Sequence, residues 1–137
     1  MLSIARCFSV VALALSVVAV ADDAKPQPER KILERHDQSS VPGKEVVIGT
    51  ATLPAGTSIG FHDHPGDEIG YIIKGSVIWK VRGQPDKRLK AGDSFFNPRG
   101  SVHSVVAADS GDSGDSVVIS TWIVDKGKPM ATPVPAS

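Results

Sequence analysis

Four residues in this chain have side chains that bind divalent metals, and their spacing lets them meet. His62, His64 and Glu68 fall within Phe61-His62-Asp63-His64-Pro65-Gly66-Asp67-Glu68, and His103 follows a segment punctuated by glycine and proline. His62 and His64 are two apart, so on an extended strand both imidazoles project from one face. Pro65-Gly66 turns the chain and lets Glu68, at the start of the next strand, return its carboxylate toward the same point. His103 must arrive from a different hairpin, as a barrel interior allows. Three neutral imidazoles and a carboxylate suit one divalent transition metal (Fe, Mn, Ni, Cu or Zn). One or two positions stay open if that metal takes five or six ligands. Any one of these histidines alone is more commonly a satisfied or exposed side chain; four such groups in this order are harder to explain that way.

The elements that must position them read as all-β. From Lys31 to Asp125 the apolar residues fall in short runs divided by Gly, Pro, Asp and Ser, and no window sustains a 3.6-residue period. The expected strands are Glu45 to Leu53, Ser58 to His62, Glu68 to Ile73, Ser76 to Arg82, Lys87 to Leu89, Ser94 to Asn97, His103 to Ala107 and Val117 to Val124. Eight short strands fit a closed barrel or a sandwich. Val77, Trp79 and Val81 share one face and are expected to line the interior. Residues Glu68 to Ile73 are apolar at both parities, which calls for cover on both sides from a second subunit, as in a homodimer, or from an N-terminal strand.

Around the four ligands the chain resembles the cupin family at both of its signature motifs. Gly56, His62, His64, Glu68 and Gly75 match the first in residue type and spacing. Gly92, Pro98, Gly100 and His103 match the second, whose final Asn is replaced here by Ala107. That Asn is not a metal ligand in the family pattern, so its loss touches local hydrogen bonding. The resemblance implies a double-stranded β-helix, the jelly-roll barrel, with the metal held inside by His62, His64, Glu68 and His103, and Nε2 ligation with each ring fixed by a further hydrogen bond. It also permits Glu68 to leave the metal and serve as a catalytic base.

The first residues, Met1 to Ala21, read as a secretory signal peptide. Arg6 precedes a mainly apolar run from Cys7 to Val20 that is closed by small residues, and the run is shorter than the roughly 20 residues a bilayer span needs. Cleavage after Ala21 is expected, which makes the protein periplasmic or secreted, with no stable membrane anchor. The whole chain has fifteen basic and fifteen acidic residues. Losing Arg6 leaves the remainder one unit negative, with no electrostatic attraction to nucleic acid. The single cysteine, Cys7, leaves with the signal, so neither a disulfide framework nor a thiol nucleophile remains. Residues 22–30 are expected to form a flexible leader, 31–126 the barrel domain and 127–137 an extended tail.

Weaker features read more simply as structure. Trp79, Phe96 and Ile72 are candidates for the cavity wall but fit plain core better. His36 reads as a surface histidine. Asp63 and Asp67 either orient the ligands or face water, and Arg99 reads as a solvated turn residue rather than an anion contact. The Asp/Ser/Gly run from Ala108 to Ser116 lacks EF-hand spacing and reads as a turn rather than a calcium loop. Two function classes follow. One is a metal-dependent, dioxygenase-like enzyme acting on a small oxygen-rich organic substrate; the other is a non-catalytic carrier or sensor of a small ligand or metal.

Overall fold

In the computed structural model the described residues are 25–108 and 114–137, and they form ten strands and no helix. The expected signal peptide, residues 22–24 of the expected leader and most of the Asp/Ser/Gly run lie outside them. The strands are β1 (Glu29–Asp37), β2 (Lys44–Leu53), β3 (Ser58–Asp63), β4 (Gly66–Lys74), β5 (Ser76–Val81), β6 (Lys87–Lys90), β7 (Ser94–Asn97), β8 (His103–Ala107), β9 (Ser116–Asp125) and β10 (Thr132–Pro133). Two five-stranded sheets result, ordered β1-β2-β9-β4-β7 and β10-β3-β8-β5-β6. Every pairing is antiparallel. This is the jelly-roll, double-stranded β-helix architecture.

Alternation explains how the sheets close on each other. Along β2 the inward positions Val47 and Leu53 are fully buried, and on β5 Val77 and Trp79 face inward, as the pattern predicts. Leu53, Ile72, Val77, Trp79, Phe95 and Val105 form the heart of the core, with the Trp79 and Phe95 rings stacked 3.8 Å apart. Each fully buried aliphatic side chain contributes about 1.5–3 kcal/mol. Ala107, in place of the motif Asn, belongs to this core, and its N–H donates to the Thr57 carbonyl. The β4–β5 link turns at Gly75, whose φ of 74° and close approach to Ser116 both exclude a side chain.

Two strands depart from the expected pattern. β1 spans Glu29 to Asp37, charged at both parities and exposed throughout, so no alternation marks it. It is a strand because the free edge of β2 supplies its hydrogen bonds, and its charges suit an edge. β10 is two residues of the tail laid along β3. The N-terminal strand therefore does not cover β4: Ile69, Tyr71 and Ile73 remain 52%, 47% and 48% exposed, and neighbouring Phe96 is 59% exposed. Phe96 is thus neither core nor cavity wall, whereas Ile72 is core.

Candidate metal centre

Strand register brings the ligands together. His62 of β3 lies directly opposite His103 of β8, with ring centroids 4.4 Å apart. His64 follows the end of β3, and the buried, half-buried, buried sequence of His62, Asp63 and His64 shows that the alternation continues through it. The ligand nitrogens of His62, His64 and His103 lie within 4.8 Å of one another. Glu68 arrives from the other sheet: its Oε2 is 3.1 Å from His103 Nε2 and 3.4 Å from His64 Nε2. All four side chains are buried.

Backbone carbonyls set the chemistry of the rings. His62 Nδ1 is 2.8 Å from the Gly60 carbonyl, His103 Nδ1 2.9 Å from that of Ser101, and His64 Nδ1 2.5 Å from that of Met130 in the C-terminal segment. A carbonyl only accepts, so each Nδ1 carries the proton and a neutral ring turns the Nε2 lone pair toward the centre. The Trp122 indole N–H donates to His64 Nε2 at 3.3 Å, in keeping with a lone pair there. Three lone pairs and a carboxylate converging away from water could hold a cation, and the donor set fits a divalent transition metal.

Burial pushes the His62 imidazole down to about 4, against the raising effect of the Gly60 carbonyl and with help from the nearby His103, His64 and Arg30 charges. Burial works to raise Glu68, but His103 and His64, when their Nε2 atoms carry protons in the metal-free centre and donate to its Oε2, outweigh burial and hold the carboxyl well below the usual carboxylate range. Between about 4 and the ordinary histidine value of 6.5, the unfolded chain therefore binds more protons at His62 than the folded one. Stability from this group is present above 6.5 and is lost as the pH falls toward 4. The urea midpoint of the metal-free protein should drop across that window, and His62→Gln should flatten the drop.

Asn97 is a site residue that the motif reading missed. It is 2% exposed, stands opposite Glu68 in the β4–β7 register, donates Nδ2 to Glu68 Oε2 at 2.8 Å and accepts from Trp79 Nε1 at 3.4 Å. Its signal was available, since Phe95 and Asn97 share the buried parity of β7 just before Pro98. Trp79 also stacks on His103, with centroids 5.4 Å apart, so this chain of contacts orients both a ring and the carboxylate. Asn97→Ala should weaken metal affinity about 10- to 100-fold. It should also cost about 1–3 kcal/mol of stability by leaving Glu68 with one fewer donor. Chelator competition and urea unfolding would measure the two effects.

The remaining sequence candidates lie away from the chemistry. Arg99 donates to the Pro65 carbonyl and to Asp125, while Asp67 accepts from the Arg99 N–H, so this pair braces the turn that carries the ligands. His36 is exposed beside Glu34. A cavity of about 80 Å³ opens onto the cluster, its apolar wall including Ile59, Trp79, Val105 and Val118 and its polar lining including Ser120 and Arg30.

The cupin domain family model matches residues 49–115, which span both motifs. Dimethylsulfoniopropionate lyase DddQ of Ruegeria pomeroyi is 39% identical over 57 residues, covering 42% of this chain and 28% of that protein. An oxalate-binding protein of Thermotoga maritima is 43% identical over 54 residues, covering 39% of this chain and 44% of that protein. Each of these alignments thus covers less than half the length of the relative. The crystal structure of the Ruegeria lyase superposes with a TM-score of 0.65 at 22% identity, covering 87% of this chain and 58% of that one, a likeness of fold alone.

Proposed function

We propose that this member of the cupin superfamily holds one divalent transition metal on His62, His64, His103 and Glu68 and acts on a small oxygen-rich organic substrate. The observation that carries this reading is the shared arrangement of three rings, each with Nδ1 committed to a carbonyl, around one buried carboxylate. A divalent metal there supplies a Lewis acid with open positions, suited to dioxygenase or enolate-forming lyase chemistry. The cavity wall is mainly apolar, and its small volume limits the substrate to a few heavy atoms. Glu68 Oε2 is tied to Asn97, His64 and His103, while Oε1 has no partner among the described residues. That second oxygen can take a substrate proton, the role of a catalytic base.

The lyase relative supports the enzyme reading. The oxalate-binding relative, together with the triple hold on Glu68 Oε2, favours a second reading, a carrier or sensor. Metal analysis of the purified protein comes first. It is followed by oxygen uptake and product analysis with catechols, flavonols, diketones and small carboxylic acids under Fe(II), Mn(II) and Ni(II). Turnover lost in His62→Ala supports the enzyme; tight metal with no turnover on any substrate favours the carrier.

The reading includes export after cleavage near Ala21, tested by N-terminal sequencing of the protein recovered outside the cytoplasm. It also includes a homodimer through the outer face of β4 and β7, where Ile69, Tyr71, Ile73 and Phe96 stand exposed. Sedimentation of Tyr71→Glu against the unaltered chain tests that association.

A further inference from the structure

Arg30 of β1 lies directly opposite Ala51 of β2 and lines the same cavity as the three histidines and Glu68. Residues directly opposed on antiparallel strands share a face. Ala51 packs against the core, so Arg30 is on the cavity side of its exposed strand. The register also sets its height. Arg30, Ala51, Val118 and Ile72 form one rung across the first sheet, while Trp122 and Glu68 form another, four residues further along β9. Four residues of strand span about 14 Å, and the rung between them presents the short side chain of Ser120 to the cavity. An arginine side chain leaning across that interval leaves the room of a small molecule between its guanidinium and the metal cluster.

Arg30 is also the one arginine of the described residues without a partner among them. Arg35 pairs with Glu45, Arg99 with Asp125, Arg88 with Ser76 and Arg82 with the Pro135 carbonyl. Although Arg30 is exposed as a residue, the surrounding protein still lowers its pKa by burial, with Glu68 acting in the opposite direction. A divalent metal offset by the single Glu68 charge leaves the centre positive, and Arg30 adds a second positive charge across the cavity.

We infer that Arg30 is the anion-recognition residue of this site and that the ligand is a small carboxylic acid, its carboxylate on the Arg30 guanidinium and a second oxygen function directed toward the histidine cluster. This rests on the metal-site reading above. A guanidinium presents a planar fork that matches a carboxylate in bidentate fashion, which an ammonium cannot. The small cavity and its apolar wall restrict the carbon skeleton to a short one. The residue arrives on an edge strand outside both motifs, so it can set ligand preference without disturbing the metal ligands.

The test titrates oxalate and its neutral isostere oxamide into the Mn(II)-loaded chain by calorimetry, with metal retention measured in the same samples. In R30Q, oxalate should bind about 10-fold or more weakly, with metal affinity and oxamide binding unchanged. R30K, which keeps the charge but not the fork, should recover only part of the loss. Equal oxalate affinity in R30Q and the unaltered chain, with metal retained in both, overturns this inference alone. If the unaltered chain takes up no metal, both it and the metal-site reading fall.

Discussion

His103→Ala should lower the affinity for a divalent metal by more than about 100-fold, beyond the range seen when only an outer hydrogen-bond partner is lost. His103 is the best-enclosed ligand, 1% exposed, fixed through Nδ1 to Ser101, stacked on Trp79 and 3.1 Å from Glu68. Water can replace its nitrogen as a ligand but not its fixed position between the two sheets. The variant removes one of the groups holding Glu68 and leaves Asn97 and His64 as its partners. Metal content after dialysis and the ligand-field spectrum of the Co(II) form read the effect, with circular dichroism reporting the fold. A full metal complement in His103→Ala would mean that the metal binds elsewhere.

Gly66→Ala should destabilise the protein by about 3 kcal/mol or more, at the upper end of what overpacking costs. A Cβ at Gly66 would sit 1.9 Å from the Ile123 carbonyl oxygen and 2.6 Å from Val124 Cα, both backbone atoms of the paired strand. β9 cannot yield, because it is hydrogen-bonded to β2 along its other edge and the Asp125 N–H donates to the Pro65 carbonyl. Gly66 also lies between His64 and Glu68, so strand separation there pulls the two ligands apart. Gly60→Ala is the contrasting substitution: a Cβ there meets nothing within 4 Å. Urea unfolding of both variants should separate them clearly; equal midpoints would show that β4 and β9 are not packed this closely.

The strands inside the barrel were legible because half-buried strands alternate, and β7 and β8 run over the same residues the pattern predicts. β1 and β10 were not, since neither has an apolar face of its own and each is a strand only because a neighbour's edge supplies its hydrogen bonds. The apolar parity of Ile69, Tyr71 and Ile73 was legible as a surface in need of cover, yet nothing in the described chain provides it.

By itself the sequence determined which side chains can bind a metal and that His62 and His64 share a face, because ligand chemistry and two-residue spacing are local properties. Only the tertiary structure decided that Asn97 grips Glu68, that the Met130 carbonyl sets the His64 ring and that Arg30 faces the cavity. Those contacts join residues 29, 66 and tens of positions apart through strand register, and register is settled by the burial of all the strands together rather than by any one of them.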